Sequence, residues 1–459
     1  MKRPQIITIL LTALVTTVAG AADFHDSLRD SILANITGAS VPADTINVTK
    51  LGAKGDGHKD CRKAFAKAID RASRRGGVVN VPAGTYFISG PIELKSNVIL
   101  HLDEGSTLLF DPNPSCYPIV ETSWEGTYCL NYSPMIRAYK VTNTGITGRG
   151  TIDGNAMTTF ATWKPMQKEA QKRNRDMNHQ KVPRGERKFG EGDYLRPQLI
   201  QFYDCKGVTI EDVMITNSPF WCIHLLTSEN IICRGIRYDA KLINNDGIDP
   251  ESSRNILIED IHFNNGDDNI AIKSGRDDDG LDPMTPPSEN IVIRNCHFKG
   301  LHAVVLGSEL SGGIRNVIIE NCDAAGYCKR GFYLKSNPDR GGFVENVSIR
   351  NVVLADVEDL FYVTASYAGE GLDNNRYTSI KNINVNTLTA DTVSSAAIVI
   401  QGIREMPVKN VSLNGISCNS ALIGLSIENV EDVTMNNCFV GGRAGVPTMV
   451  TAKDNIFNR

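Results

Sequence analysis

The feature that most constrains this chain is a six-residue pattern that recurs nine times between residues 207 and 437. Each copy begins with a turn-forming or polar residue, continues through alternating apolar positions, and ends at a second residue that favours a turn. A constant pattern at spacings of 22 to 36 residues indicates one structural unit per repeat, with extra residues placed in loops. The nine copies are Gly207–Asp212, Asn230–Gly235, Asn255–Asp260, Asn290–Asn295, Asn316–Asn321, Asn346–Asn351, Asn382–Thr387, Asn410–Gly415 and Asp432–Asn437.

The apolar residues within each unit alternate with other residues, as Ile256 and Ile258 do, and the alternation resumes beyond the turn at Ile261 and Phe263. A period of two is typical of strands and not of helices. Strand, corner and strand, repeated along the chain, predict an all-β, single-domain solenoid: a right-handed parallel β-helix. Its handedness follows from the general rule for parallel crossovers.

The ends of such a stack need covers, and the sequence offers one at the N-terminal end. Residues 60–75 have an amphipathic helical pattern, and a strand and tight turn follow at 76–86. We therefore expect a short helical cap and first coil at about 45–110, with the last coil ending near Asn437.

The composition excludes several classes of protein. With 48 basic and 52 acidic residues, the net charge of −4 argues against a nucleic-acid binder, and 41% hydrophobic residues are enough for a large core. Residues 1–21 have the basic start, apolar run and small-residue cleavage site of an export signal, and the apolar run is too short to span a bilayer. We expect an exported monomer, periplasmic or extracellular and not inserted in a membrane, whose domain spans residues 22–459.

The eleven cysteines are scattered along the chain and do not form a disulfide framework. Several follow a repeat corner, as Cys296 and Cys322 do, which is typical of small buried side chains in a stack. The sequence does not decide whether Cys116 and Cys129 form a disulfide. No cysteine pair or histidine motif indicates a metal site.

A segment at about 160–196 interrupts the pattern with ten basic and five acidic residues. One interpretation is a solvated helix and loop. The other is a positive wall beside a site for an acidic ligand. The sequence alone favours neither.

The densest group of candidate catalytic side chains is formed by Asp246, Asp267 and Asp268. Asp246 and Asp267 are 21 residues apart, close to the shortest repeat, so we expect them at equivalent positions on adjacent coils. Carboxyls this close resist simultaneous ionisation, an arrangement suited to a general acid beside a general base. Turn formation is an alternative for acidic residues at corners, and we assign it to Asp249, Asp260 and 277–279. A third alternative is a Ca²⁺ site.

These motifs carry a specific resemblance. Asn244–Asp249, then Gly266–Gly275, then a histidine before the Val305–Glu309 run, resemble family 28 of the glycoside hydrolases, the polygalacturonases. The resemblance covers most of the chain and implies a β-helix that hydrolyses α-linked galacturonic acid in pectin with inversion, without metal or other cofactor.

The resemblance also implies roles for individual residues. Asp267 matches the general acid, Asp246 and Asp268 match the pair that activates water, and His302 matches a supporting histidine. Among substrate-binding positions, Lys335 matches the lysine that binds a sugar carboxylate, and Asn244 belongs to the same motif as Asp246.

The chain departs from the family where an Arg-Ile-Lys run is expected, because Tyr333 replaces the arginine. Tyrosine cannot make a bidentate charged pair but can stack on a sugar, so the leaving sugar can be galacturonate or another pectin sugar such as rhamnose. Lys273, Arg330 and Arg340 are candidates for compensating charge.

Segments 194–200 and 217–224 also resemble exo-acting members of the family. With the basic insertion, they predict a groove blocked at one end that releases single sugars from the non-reducing terminus. Two alternatives remain: a pectate lyase on the same fold and a pectin-binding β-helix without catalysis.

Overall fold

The structure is a computed structural model that describes residues 24–369, 371–372 and 374–441. The export signal predicted for residues 1–21 lies outside these residues. Of the thirty strands within them, 28 wind into coils whose neighbours pair in parallel, β8 and β9 form a separate antiparallel hairpin, and the predicted right-handed parallel β-helix is confirmed. Among the described segments, no helix is long and apolar enough to cross a membrane.

The helices are α1 at 24–33, α2 at Arg62–Ser73, α3 at Lys168–His179 and α4 at Asp277–Leu281, with short 3₁₀ turns at Val48–Leu51, Pro114–Cys116, Ala156–Thr158, Phe160–Trp163 and Arg184–Glu186. The strands are β1 Thr45–Asn47, β2 Asp56–Asp60, β3 Gly77–Val81, β4 Gly84–Ile88, β5 Ile92–Leu94, β6 Val98–Leu102, β7 Ser106–Phe110, β8 Ile119–Trp124, β9 Thr127–Tyr132, β10 Ile136–Tyr139, β11 Thr142–Gly148, β12 Thr151–Asp153, β13 Ile200–Tyr203, β14 Lys206–Glu211, β15 Met214–Thr216, β16 Ile223–Leu226, β17 Glu229–Arg234, β18 Arg237–Asp239, β19 Ile248–Glu251, β20 Arg254–Glu259, β21 Asp268–Ile272, β22 Ser288–Arg294, β23 Gly300–Gly307, β24 Ile314–Lys335, β25 Phe343–Thr364, β26 Ser379–Gln401, β27 Val408–Cys418, β28 Ile423–Glu428, β29 Val430–Asn436 and β30 Phe439–Val440.

Three parallel ladders run the length of the solenoid. The first sheet contains β1, β3, β6, β11, β14, β17, β20 and β22, and it continues through the starts of β24 to β26 into β27 and β29. The second sheet contains β5, β10, β13, β16, β19, β21 and β23, then the ends of β24 to β26, and β28. The third begins with β2, β4, β7, β12, β15 and β18.

The repeated pattern lies on the first sheet, and its first and sixth residues both adopt the left-handed backbone conformation in all nine copies. Asparagine, aspartate and glycine tolerate that conformation, which explains their recurrence there. Asparagines at the first position also form a ladder: Asn316 Nδ2 donates to Asn290 Oδ1 at 3.0 Å, and Asn346 Nδ2 donates to Asn316 Oδ1 at 3.1 Å.

The predicted N-terminal cap is confirmed in type and position. Helix α2 begins two residues later than expected because Asp60 ends strand β2, and its buried face contains Phe65, Ala68, Ile69 and Ala72. The cysteines are free thiols, Cys116 and Cys129 included, so the bridge left open by the sequence is not formed.

Helix α1 begins a strap, residues 24–40, that the sequence pattern did not predict. Ile32 packs on Leu257, Val292 and Ile318 of the first sheet. At the start of the strap, the buried His25 contacts Glu320 at 3.0 Å, and at its end Ser40 bonds to Asn143. The strap therefore fastens distant coils to one another.

Candidate active site

The candidate site lies on the outer face of the second sheet, where alternate residues of β19, β21, β23 and β24 point away from the core. The register places Asp268 opposite His302, and His302 opposite Arg330. The residues between them, such as Ile270, are buried in the core, which is the alternation expected of strands.

The predicted alignment of Asp246 with Asp267 is off by one residue. Ile248 pairs with Ile270, an offset of 22 residues, so the position equivalent to Asp246 on the next coil is Asp268. The coil here is 22 residues long, one residue more than the separation of Asp246 and Asp267. Asp267 precedes its strand and still comes close enough for its charge to raise the pKa of Asp246.

A cavity of about 390 Å³ opens at these residues. Seven of the nine predicted site residues line it: Asn244, Asp246, Asp267, Asp268, Lys273, His302 and Lys335. The other lining residues are Glu125, Arg175, Trp221, Arg276, Leu301, Ser308, Glu309, Arg340, Tyr367, Ala368 and Gly369. The fold therefore collects residues from distant parts of the chain around one sugar-sized space.

Asp268 is held in its ionised form. Burial alone would raise the pKa of its carboxyl, but Lys335 and His302 outweigh burial and hold the pKa well below its usual range. Lys335 Nζ lies 3.2 Å from Oδ2, and His302 Nδ1 lies 2.5 Å from Oδ1. An ionised carboxylate only accepts hydrogen bonds, so Nδ1 of His302 carries the donated proton.

Asp267 has the opposite tendency. Burial raises the pKa of its carboxyl, and the negative charge on Asp268 raises it further. Asn244 Nδ2 donates to its Oδ2 at 3.1 Å, and the Asp268 backbone N–H donates to its Oδ1 at 3.0 Å. Adjacent carboxyls whose pKa values are pushed in opposite directions are suited to a general acid beside an ionised partner.

Lys273 is the centre of a buried ionic cluster below the cavity. Its Nζ lies 3.3 Å from Glu309, 3.6 Å from Asp249 and 3.9 Å from Asp246, and it also lies over the ring of Trp221. Burial would lower the pKa of Lys273, but these carboxylates outweigh burial and raise it. Lys273 therefore neutralises acidic neighbours within the protein, and its charge is already shared.

The assignment of turn roles to acidic residues is wrong for Asp249 and incomplete for the 277–279 run. Asp249 lies within strand β19, fully buried beside Lys273, and so is part of the ionic cluster. In the 277–279 run, Asp277 does adopt the left-handed backbone conformation of a turn, with φ of 49°, but it also binds Arg340. Asp279 binds Arg187, and both aspartates are buried. Their sequence context resembles a corner, but it gives no information on which carboxylates find buried cations. Asp260 does adopt the left-handed conformation of a corner.

Tyr333 and Arg330 do not line the cavity formed by the described residues. Tyr333, expected to stack on a sugar, is only 5% exposed, because the Arg330 guanidinium lies 4.4 Å from its ring centre and Tyr362 packs edge-on against it. Arg330 in turn forms an ion pair with Asp359 at 2.9 Å. These two residues therefore pack against His302 and are not among the described residues that line the cavity.

The basic insertion exposes some of its cations to solvent and places others at or near the cavity. Helix α3 exposes lysines to solvent, as the first interpretation expects. Its Arg175 lines the cavity and binds Glu125 at 2.9 Å, at the tip of the antiparallel β8–β9 hairpin. The buried Arg196, at the end of the insertion, donates to Asn244 Oδ1 at 2.7 Å. The insertion and the hairpin thus meet beside the cavity, and we call this contact the wall.

Asp267, Asp268 and His302 also meet the spatial requirement for a metal site, with ligand atoms within 4.8 Å of one another. However, the ammonium of Lys335 is bound to the same Asp268 carboxylate, so a divalent cation would face a positive charge at close range. The arrangement fits a proton-transfer pair better than a cation site.

Sequence reasoning missed residues that repeats do not reveal. Glu125 comes from the hairpin, and Tyr367 comes from the loop after β25. Glu309 ends the Val305–Glu309 run, and the sequence predicts no role for it, yet it binds Arg276 at 2.6 Å. That conspicuous glutamate was the one available signal.

Comparisons with known proteins agree with the geometry. The model of the family described as glycosyl hydrolases family 28 matches residues 78–439, and a model described as rhamnogalacturonase A/epimerase, pectate lyase-like, matches residues 45–109. A solved exopolygalacturonase from Thermotoga maritima is 34% identical with a TM-score of 0.85, covering 93% of this chain and 97% of that one.

Curated relatives include an exo-poly-alpha-D-galacturonosidase from Dickeya chrysanthemi, which is 30% identical over 94% of this chain and 78% of that protein. A probable polygalacturonase from Vitis vinifera is 29% identical over 83% of this chain and 76% of that protein. The resemblance inferred from the aspartate motifs is confirmed, and this chain belongs to family 28 of the glycosyl hydrolases, the polygalacturonase family.

Proposed function

We propose that this protein removes single galacturonic acid residues from the non-reducing end of pectic oligosaccharides, with inversion at the anomeric carbon. The observation behind this proposal is the pairing of Asp267, which tends to hold a proton, with the ionised Asp268, in a cavity with the wall beside it. That pairing supplies both an acid and a negative charge to one sugar bond.

In the proposed reaction, the Asp267 carboxyl donates its proton to the glycosidic oxygen as the bond from that oxygen to the anomeric carbon breaks. A water molecule on the opposite face of the sugar bonds to the same carbon, which gives inversion. Asp246 takes the proton released by the water, because its raised pKa makes it the stronger base. Asp268 is too acidic to keep a proton, so it orients the water and stabilises the developing positive charge on the sugar.

The exo mode is supported by the wall. Glu125 binds both Arg175 and Gln171 of helix α3, which joins the hairpin tip to the insertion. Gly126 is next in the hairpin, and a side chain there would collide with Glu309 and Arg276, so the tip is seated directly on the ionic cluster. A polymer cannot pass through such a contact, and only a chain end fits beside it.

The leaving sugar faces the opposite end, near Lys335 and Tyr367. Lys335 is the candidate there for a sugar carboxylate, although Asp268 shares its charge. Arg330 is bound to Asp359 and offers no second open cation in place of the arginine that Tyr333 replaces. We therefore propose that this position accepts a neutral sugar such as rhamnose as well as galacturonate.

Product analysis on defined oligosaccharides tests these statements. With trigalacturonic acid, we expect monomer and dimer in equal amounts at the earliest times, and a reducing-end label should stay on the dimer. A label on the released monomer would contradict attack from the non-reducing end. Unsaturated products that disappear with a chelator would identify a lyase, and binding without turnover would identify a non-catalytic protein.

The leaving sugar is tested separately with galacturonosyl-rhamnose and digalacturonic acid at equal concentrations. We expect kcat/KM values within about tenfold of each other, since one solvent-shared ion pair contributes about 1 kcal/mol. A preference of more than a hundredfold for digalacturonic acid would contradict acceptance of a neutral leaving sugar.

We also propose that the chain is exported and acts as a monomer. The support is the basic, then apolar, then small-residue order of residues 1–21. Mass spectrometry of protein recovered from outside the cytoplasm should find Ala22 at the N-terminus, and light scattering should give the mass of one chain. Retention of Met1 or a dimer mass would contradict the respective statement.

A further inference from the structure

Two carboxyl groups beside the cavity, those of Asp246 and Asp249, share the buried ammonium of Lys273, and the guanidinium of Arg196 acts on Asp246 from beyond ion-pair distance. Lys273 Nζ lies 3.6 Å from Asp249 Oδ1 and 3.9 Å from Asp246 Oδ2. Within the part of the chain that the structure describes, no other ion pair reaches either carboxyl, and Lys273 also contacts Glu309. If both aspartates were ionised, one of the two negative charges would have no cation of its own within ion-pair distance.

The hydrogen bonds of the two carboxyls are incomplete in the same way. Both oxygens of Asp249 and Oδ1 of Asp246 are buried and have no hydrogen-bond partner among the described residues. A buried carboxylate without donors is strongly disfavoured. One proton held between the two groups would remove the excess charge and supply a donor, because a protonated carboxyl has an O–H group. The two carboxyls are close enough to hydrogen-bond to each other: a proton on Asp246 would lower the pKa of Asp249, and a proton on Asp249 would lower that of Asp246 in the same way.

The two aspartates differ in their access to the cavity. Asp246 lines it, whereas Asp249 is fully buried, within β19 and opposite His224 of β16. A charge is most costly at the position farther from solvent, so the proton belongs on Asp249. Burial raises the pKa of both groups, which agrees with one proton being retained.

We propose that Asp249 is a protonated acid in the resting enzyme, and that its O–H donates to Asp246 and keeps Asp246 ionised for activating water. Asp249 is then a positioning residue, because it acts through Asp246 and does not touch the sugar. The inference rests on the proposed function only where it assigns Asp246 its task.

Other charged groups face Asp246 and Asp249 from the neighbouring strands. They are Glu251 in β19, His224 in β16, Arg196 before β13, Asp267 and Asp268 at β21, Lys273 just after β21, and Glu309 after β23. Glu251 is paired with His224 at 2.8 Å, and Glu309 with Arg276 at 2.6 Å. Each of these two glutamates thus has a basic partner of its own.

The test compares Asp249→Asn with Asp249→Leu through the pH dependence of kcat on trigalacturonic acid. The asparagine amide still donates to Asp246, so kcat should fall less than about tenfold. The acid limb, the fall of kcat towards low pH, should keep its midpoint within about half a pH unit. Leucine cannot donate, so the pKa of Asp246 should rise and the acid limb should move up by about one to two units. Circular dichroism confirms that both variants fold.

The opposite protonation state predicts a different result. If Asp249 were ionised, Asp249→Asn would remove a negative charge beside Asp246, and the acid limb would move down by about one unit or more. That shift would overturn the proposal. Equal pH profiles for Asp249→Leu and the wild type would also overturn it, since a merely structural residue lowers activity without moving the midpoint.

Infrared spectroscopy gives a readout that needs no substrate. In deuterated buffer at neutral pD, the wild-type enzyme should show the carbonyl stretch of a protonated carboxyl that disappears in Asp249→Asn. A second band should disappear only in Asp267→Asn. If the spectrum of Asp249→Asn kept every band of the wild type, the proposal would be overturned. If the wild-type enzyme were inactive on every oligogalacturonide, the proposed function would be refuted, but the infrared band would still show whether Asp249 is protonated.

Discussion

Replacement of Asp267 by asparagine isolates the proton-donating step. The Asp267 carboxyl accepts one hydrogen bond from Asn244 and one from the Asp268 backbone N–H. An asparagine has nearly the same shape and keeps one of these acceptors, so we expect Asp267→Asn to fold and to bind substrate. It cannot donate an acidic proton to the leaving oxygen.

The expected size of the effect follows from the step that is lost. General acid catalysis is worth about 10²- to 10⁴-fold, or roughly 3 to 5 kcal/mol of barrier, when the leaving group is a sugar alcohol. We expect kcat on trigalacturonic acid to fall by that factor while KM changes less than about threefold. An aryl galacturonide needs little protonation of its leaving oxygen, so its rate should fall less than about tenfold.

The assay therefore measures both substrates for the wild type, Asp267→Asn and a matched control. Asp260→Asn is suitable as that control because Asp260 is an exposed corner with φ of 56°, a conformation that asparagine tolerates. Equal losses on both substrates, or retained activity on trigalacturonic acid, would refute the assignment of Asp267 as the acid.

Three further predictions concern stability and the wall. His25 and Arg350 outweigh burial and lower the pKa of Glu320 to about 2, so the contribution of Glu320 to stability is complete above its ordinary pKa and is lost as the pH falls towards 2. Glu320→Gln should therefore lower the free energy of unfolding by about 2 kcal/mol at pH 7 but not at pH 2. Equal losses at the two pH values would contradict this linkage. Asn316→Ala should destabilise the protein by about 1 kcal/mol more than Asn316→Gly, because both lose the ladder but only alanine is strained at φ of 57°; equal melting temperatures would contradict that reasoning. Glu125→Ala should release the wall and yield dimers among the earliest products of hexagalacturonate, as chromatography would show, and an unchanged monomer-only pattern would contradict the role of the wall.

The fold was predictable because the residues of each repeat specify its corners and its strand locally. Asn316 and its equivalents specify a left-handed corner, and residues such as Ile256 and Ile258 specify the strand between corners. The same regularity predicts from the sequence alone that Asp246 lies near Asp267 and Asp268. The one-residue error in alignment arose because coil length varies, and only the observed pairing of Ile248 with Ile270 fixes it.

The rest of the site could not be predicted because it depends on contacts outside the repeats. Asp249 and Asp260 have similar sequence contexts, and only the fold shows that Lys273 lies beside Asp249. The contact between Glu125 and Arg175 joins a hairpin to an inserted helix 50 residues away, with no pattern to announce it. Loops and insertions are thus where the sequence stops predicting and the structure is needed.

The most direct test of the central claim is the anomeric configuration of the first product. Proton magnetic resonance of trigalacturonic acid during the first minutes of hydrolysis distinguishes the anomers before they equilibrate. If water attacks opposite the Asp267-protonated oxygen, the released galacturonic acid should appear first as the β-anomer. Initial release of the α-anomer would contradict this account of how the three aspartates act.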